Sequence, residues 1–377
     1  MVNLFVIALT GDKRVFQPGD TISGVLLLNT NKEITLRGVR VELHGVGNVR
    51  IRSGKVTYAR RETYLGFQSI LLGRAPFQAG SDIKLQPGNY NFPFQFPLPV
   101  SPLPTSFEGA YGSVRYWLDA VVDRPWRIDL NTRTPLVIVE RVQIRSPEFL
   151  EPRLKQEDRM LGWPCCPSGQ LHTKARIGCL AYCPGQEVKI SGLVNNESSK
   201  TVIGFEAQLV QTVLYKAPEA TTRTVTEKLY VLKKEQELAP GDQTNVEFDS
   251  FVIPPVQPTT KGFGCIDISY AIKFKVRVKK AFNTDIIFPV VITTVPPNTE
   301  PSADPVLREQ IFIALANYLA SRAAAELDSN AQEATEGERN TVWDRPSAPE
   351  AVGPSVASSS ERPGSTSGQP YQYYRMA

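Results

Sequence analysis

Short runs of alternating apolar and polar residues dominate the first 295 positions. Phe5 to Leu9, Ser23 to Leu28, Gly38 to His44, Tyr116 to Val122 and Leu136 to Val139 each read as a strand with one buried face. Glu187 to Leu193, Phe205 to Val213, Asn245 to Phe251, Ile266 to Val278 and Ile286 to Ile292 read the same way. Pro18-Gly19, Pro87-Gly88, Pro184-Gly185 and Pro240-Gly241 punctuate them as turns. No long helical period is visible before residue 303. Many short strands with regular turns predict an all-β chain of sandwiches.

The pattern repeats. Phe16-Gln-Pro-Gly-Asp20 followed by Gly24 is echoed by Tyr182-Cys-Pro-Gly-Gln186 followed by Gly192. Phe94-Gln-Phe-Pro-Leu-Pro leading to Tyr116 is echoed by Phe251-Val-Ile-Pro-Pro leading to Tyr270. The second unit is about a dozen residues shorter, which places extra chain in the first unit between Arg50 and Leu85. A proline-rich segment cannot donate ladder hydrogen bonds, so in each unit it delimits a sheet before the next central strand. The boundaries expected are a first sandwich over 1–146, a charged and proline-rich linker over 147–171, a second sandwich over 172–295 and a tail over 296–377. Within the tail, Leu307, Ile311, Leu315, Tyr318 and Leu319 share a face and predict a helix over 304–328. From Ser329 onward Ser, Pro, Gly, Glu and Ala dominate, a composition expected to stay disordered.

Composition narrows the function. Forty-two Lys and Arg against 38 Asp and Glu leave a net charge of +4, too mild for a dedicated nucleic-acid binder. Five cysteines argue against a secreted disulfide scaffold. The start of the chain lacks the basic region of a signal peptide, and no stretch approaches the ~18 apolar residues of a membrane span. The expectation is a soluble, intracellular protein. With only two histidines, His44 and His172, and no nucleophile–base pair, phosphate loop or nucleotide fingerprint, no catalytic or cofactor site is assigned. Cys165, Cys166, His172, Cys179 and Cys183 lie close together, but only Cys179 and Cys183 have paired-ligand spacing, and they flank a predicted strand and turn. No metal site is assigned either.

Several separated motifs carry a family resemblance: Phe94-Gln-Phe-Pro-Leu-Pro; Leu103-Pro-Thr-Ser-Phe-Glu-Gly-Ala-Tyr-Gly-Ser-Val-Arg-Tyr116; Asp123-Arg-Pro-Trp126; Tyr182-Cys-Pro-Gly with Val194-Asn-Asn-Glu-Ser-Ser; and Ile253-Pro-Pro-Val-Gln-Pro258 before Cys265-Ile-Asp-Ile-Ser-Tyr270. Over about residues 4 to 295 the chain strongly resembles the α-arrestins, the arrestin domain-containing proteins. The resemblance implies two tandem arrestin-type, immunoglobulin-like sandwiches and an adaptor rather than an enzyme. It implies binding to cytoplasmic parts of membrane proteins, as cargo or receptor tails. It also implies a link to endocytic, ubiquitin-dependent or ESCRT sorting, with a cytoplasmic home and recruitment to plasma membrane and endosomes. A scaffold or signalling modulator without ligase recruitment is the alternative.

The tail departs from the family's Pro-Pro-x-Tyr signal for WW domains of HECT-type ligases. Pro296-Pro297-Asn298-Thr299 has threonine where tyrosine is needed, so a ligase is expected only indirectly or weakly. Pro346, Ser347, Ala348 and Pro349 match the late-domain motif read by the ubiquitin-variant domain of ESCRT. Tyr373 to Met376 fits a tyrosine-based sorting signal. Lys273, Lys275, Arg277 and Lys279 alternate with apolar residues, which puts four cations on one strand face. That row is either a solvated edge, the ordinary reading of a charge run, or a surface for acidic cargo or anionic lipid, to which the mutual repulsion of four like charges gives some weight. Arg37, Arg40, Arg50 and Arg52 form a sparser row in the first unit. Cys165 and Cys166, in the expected linker, are candidate S-acylation sites that would give peripheral membrane attachment, with unmodified thiols the plainer reading. Where some family members use a cysteine to pair with thioredoxin, the matching segment Asn195 to Lys200 holds Ser198, so that regulation is not expected.

Overall fold

The computed structural model describes residues 2–163, 166–262 and 264–295. Two β-sandwiches follow one another along the chain. In the first, a sheet of Val2–Leu9, Thr21–Thr30 and Gly88–Pro97 faces a larger sheet. The larger sheet runs in the order Val15–Phe16, Leu130–Ile138, Gly112–Asp123, Gly38–Ser53 and Val56–Gly73, with Phe107–Gly109 also paired to Gly112–Asp123. The second sandwich repeats this. Arg153–Trp163, Cys166–Ile177, Ile190–Ser198 and Gln243–Glu247 form one sheet. Ala181–Tyr182, Thr284–Ile292, Ile266–Val278, Val202–Lys216 and Thr222–Lys234 form the other. Among the described residues there are two single-turn 3₁₀ segments and no α-helix.

Strict alternation builds these elements. Along Ile266–Val278 every second residue is buried, and along Thr21–Thr30 Ile22, Leu26 and Leu28 turn inward. Each sandwich interior is therefore a double layer of branched and aromatic side chains, and the two interiors form one continuous cluster.

The segment expected as a linker is largely strand. Arg153–Trp163 and Cys166–Ile177 pair antiparallel as a hairpin of the second sandwich, so the connection shortens to about residues 139–152. The outer member, Arg153–Trp163, is an edge strand rich in charge, which hides its period. Part of the extra length of the first unit lies in the loop 74–82 and the short strand Ile83–Leu85, which pairs with Ile34–Leu36. The corresponding stretch of the second unit, between Lys234 and Gln243, makes only the isolated bridge Val202–Leu238.

The repeated motifs have repeated jobs. Gly19 and Gly185 both sit at φ 88°, as the third residue of a tight proline–glycine turn requires. Gly19 N–H donates to Pro99 O at 3.0 Å and Gly185 N–H to Ile253 O at 2.8 Å. Leu98 N–H donates to Asp20 O and Ile253 N–H to Gln186 O. Farther along, the buried Tyr116 hydroxyl donates to Pro104 O at 2.6 Å, and the buried Tyr270 hydroxyl donates to Gln257 O at 2.7 Å. In both units, then, a turn and a tyrosine fasten the proline-rich segment from two sides. Tyr270 also accepts a hydrogen bond from Gln211 Nε2 at 2.8 Å.

Removing the Tyr116 hydroxyl orphans a buried carbonyl, so Tyr116→Phe is expected to cost about 1–3 kcal/mol. Tyr270→Phe is expected to cost more, because it strands both Gln257 O and the Gln211 amide. Calorimetric unfolding of the two variants beside the parent checks the order.

Candidate functional site

The two sandwiches meet at a waist made by their wide sheets and the turns beside them. Tyr64, on the edge strand Val56–Gly73, donates its hydroxyl to Glu62 Oε2 at 3.0 Å and lies 3.7 Å from Cys265 Sγ of the second sandwich. Burial first, then Cys265 and Glu62, push the Tyr64 phenol well above its ordinary range. Burial likewise raises the Cys265 thiol. Beside this contact, Tyr215 receives Tyr111 edge-on at 5.6 Å and Phe107 at 6.4 Å between ring centres. Arg223 stands over Tyr111 at 5.4 Å. The approach is close enough to require glycine: a Cβ on Gly109 would collide with the Tyr215 hydroxyl, and one on Gly264 with the Tyr64 hydroxyl. The chain itself adds a third tie, with Val142 N–H donating to Thr294 Oγ1 at 2.8 Å and Thr294 N–H to Val142 O at 2.9 Å. A cleft of about 340 Å³ opens beside it, lined by Glu140, Arg141, Gln143, Thr259 and Lys261 among others.

Two outer strand edges border the waist. Val56–Gly73, with 18 residues, is the outer strand of the first wide sheet. Thr222–Lys234, with 13 residues, is the outer strand of the second. The first carries Tyr64 and the second Arg223, so both edges border the junction. Each presents a row of backbone donors and acceptors that an extended peptide can pair with.

Lys273, Lys275 and Arg277 lie on Ile266–Val278, with Phe274, Val276 and Val278 buried, while Lys279, expected on the same strand face, falls in the turn just beyond the strand. The charges of the row are not alike in setting. Lys275 lies 3.8 Å from Asp285 on one neighbouring strand. Arg277 lies 3.4 Å from Glu206 on the other and also bonds Glu235. The expected mutual repulsion is thus relieved in the middle of the row. Lys273 and Lys279 have no carboxylate partner among the described residues, so the cations open to a ligand sit at the two ends. The sequence pattern alone shows the cations; their carboxylates come from strands distant in the chain.

The other residues singled out by their sequence pattern disperse through the fold. Cys166 lies in a strand opposite Trp163, while Cys165 is outside the described residues. His172 sits on the outer face of its sheet, 2.8 Å from Asp158 and 3.4 Å from Glu197. Cys183 is buried, which pushes its thiol up to about 11. Ser198 is buried too, its hydroxyl donating to Asn196 Oδ1 at 2.6 Å. Pro346 to Pro349, Tyr373 to Met376 and the helix expected over 304–328 lie outside the described residues.

Comparison with known proteins settles the family. The model of the arrestin (or S-antigen) N-terminal domain matches residues 5–145, and that of the arrestin C-terminal domain matches residues 167–297. Arrestin domain-containing protein 4 of Mus musculus is 31% identical over 294 residues, covering 75% of this chain and 70% of that protein. The Homo sapiens protein of the same name is 30% identical over 296 residues, covering 76% and 70%. The chain is an α-arrestin. Thioredoxin-interacting protein of Homo sapiens is a more distant relative, 25% identical over 293 residues, covering 77% and 74%.

One feature of this α-arrestin has no signature in its sequence. Across three adjacent strands of the first wide sheet, His44 stacks on Trp117 at 5.2 Å and lies 3.1 Å from Glu42. Trp117 Nε1 donates to Asp119 at 2.8 Å, Arg133 grips Asp119 through two nitrogens, and Arg133 covers the indole at 4.8 Å. Arg40 Nε donates to Glu42 at 2.6 Å, so this member of the sparser arginine row is also paired. The register Trp117↔His44 and Asp119↔Arg133 makes the network, which no local motif reveals.

Two tests follow from these pairings. Lys273→Glu with Lys279→Glu is expected to weaken binding of an acidic peptide with little change in melting temperature. Arg277→Glu, which sets three carboxylates together, is expected to lower the melting temperature instead; peptide titration and thermal melts on the same samples separate the two effects. The hydrogen bond from His44, followed by Arg40, holds the Glu42 carboxyl at about 2, against an unfolded value of about 4.3. A depressed carboxyl stabilises the fold above its unfolded value and loses that contribution as pH falls through the folded one. A contribution of roughly 2–3 kcal/mol should therefore drain away between about pH 4.5 and pH 2. Glu42→Gln should flatten that part of the stability–pH curve in chemical denaturation.

Proposed function

We propose that this α-arrestin is a non-enzymatic adaptor that binds cytoplasmic segments of membrane proteins and couples them to endocytic, ubiquitin-dependent or ESCRT sorting. The observation that carries the reading is the pair of long open strand edges bordering the waist, with cations at the ends of the neighbouring row. An extended cargo tail would add to an edge through its backbone and present acidic or phosphorylated groups to Lys273 or Lys279. The tail motif Pro346, Ser347, Ala348, Pro349 would engage the ESCRT ubiquitin-variant domain, and Tyr373 with Met376 would serve as a sorting signal. Cytoplasmic residence with recruitment to plasma membrane and endosomes belongs to the same reading, as does S-acylation of Cys165 and Cys166. Thioredoxin pairing does not, because Ser198 is a buried hydroxyl committed to Asn196.

A second reading, a scaffold or signalling modulator without ligase recruitment, is favoured by the missing tyrosine after Pro296-Pro297. Affinity capture from cells with the full chain, its Pro349→Leu variant and a version ending at Val295 distinguishes them. The adaptor reading expects membrane proteins with all three, sorting machinery only with the full chain, and loss of ESCRT components on Pro349→Leu. Equal recovery of membrane proteins with no sorting machinery from any of them, and no gain of ubiquitin on cargo when the chain is overproduced, would leave the scaffold.

A further inference from the structure

The waist occupies one end of the first wide sheet. Its opposite end carries the two most exposed aromatic side chains among the described residues. There Asp123 pairs with Gly38 and Gly38 with Gly73, so three strands finish side by side. Arg37 N–H donates to Asp123 O at 2.8 Å and Arg74 N–H to Arg37 O at 3.1 Å, and Arg37 Nε bonds Asp123 at 2.6 Å. Two loops leave this stitched base, 74–82 and 124–129. With strands about 4.8 Å apart, their roots are about 10 Å apart.

Both loops follow one plan. Each begins with an arginine whose guanidinium folds back onto a later carbonyl of its own loop: Arg74 onto Gly80, and Arg124 onto Ile128. An aspartate closes each, Asp82 accepting from Arg74 Nη2 at 2.9 Å and Asp129 accepting the Arg124 N–H at 3.0 Å. At the turn each has a proline followed by an aromatic residue in left-handed backbone, Pro76-Phe77 at φ 63° and Pro125-Trp126 at φ 58°. Such backbone is rare for bulky residues, and here both loops hold it. The result is outward presentation. Phe77 is 109% and Trp126 101% exposed, with Ile128 at 88%. Trp117 in the same sheet, by contrast, is stacked, hydrogen-bonded and covered.

We propose that this distal tip inserts Phe77, Trp126 and Ile128 into the interfacial layer of an anionic lipid bilayer. Side chains exposed as fully as these stand clear of the surface singly, on protrusions rather than in a groove. A continuous apolar phase can receive all three at once. Tryptophan and phenylalanine flanked by arginine is the composition that settles at the headgroup boundary. The Arg37 and Arg74 guanidinium groups are each answered by an aspartate and that of Arg124 by the Ile128 carbonyl, whereas Arg127, between Trp126 and Ile128, has no carboxylate partner among the described residues and is left for a lipid phosphate. The inference does not depend on which cargo is bound or on the tail.

The test is co-sedimentation of the full chain with vesicles of phosphatidylcholine containing about 30% phosphatidylserine, and with phosphatidylcholine alone. The parent is expected to bind the anionic vesicles. Phe77→Ser with Trp126→Ser and Ile128→Ser is expected to lose at least about tenfold in apparent affinity at an unchanged melting temperature. Arg127→Glu should weaken binding to anionic vesicles selectively. Brominated lipid should quench the parent's tryptophan emission, and Trp126→Phe should abolish that quenching while binding persists. Failure of the parent to bind, or equal binding by the triple variant, overturns the proposal. So does sedimentation velocity without lipid that shows self-association lost in the triple variant, because the tip would then serve a second copy of the chain.

Discussion

Each sandwich depends on fastening a segment that cannot fasten itself. The proline-rich stretches around Leu98–Ser106 and Ile253–Pro258 lack the backbone donors that hold ordinary strands, yet they must cap a buried core. The chain supplies donors from elsewhere: a turn amide at Gly19 or Gly185 on one side and a tyrosine hydroxyl at Tyr116 or Tyr270 on the other. Short parallel strands complete the closure, Val15–Phe16 against Leu130–Ile138 and Ala181–Tyr182 against Thr284–Ile292. Because each tyrosine belongs to the central strand of the wide sheet, the clasp also fixes that strand, and through it the residues displayed on both faces.

The display has two ends. Near the waist, Tyr64, Tyr111, Tyr215 and Arg223 hold the sandwiches together across glycines. The edge strands that they anchor stay unpaired on their outer sides. Far from it, the same wide sheet ends in two arginine-pinned loops with bare aromatic tips. A long, stiff sheet thus separates a region suited to peptide from a region suited to an apolar phase. The polar network of His44, Trp117, Asp119 and Arg133 covers the sheet between them.

How far this is legible in the sequence varies by element. Strands with one wet face, such as Ile266–Val278, declare themselves through alternation, and the duplicated Pro-Gly turns and tyrosines reveal two units. The hairpin of Arg153–Trp163 and Cys166–Ile177 reads as a linker because its outer strand is charged along its length and lacks a clean period. Val56–Gly73 hides for the same reason, since an edge strand buries little on either side. The cation row is visible, but not the neutralising roles of Glu206, Glu235 and Asp285, which depend on register. Asp123-Arg-Pro-Trp126 stands out as a motif, whereas its partnership with Phe77 exists only because three strand ends are stitched together.

The proton inventory of the waist has a chemical consequence. Burial raises both Tyr64 and Cys265, the pair that touch across the junction, so each holds its proton more firmly than a free phenol or thiol does. Because the thiolate is the reactive form, raising the Cys265 thiol also makes it a poor target for oxidation.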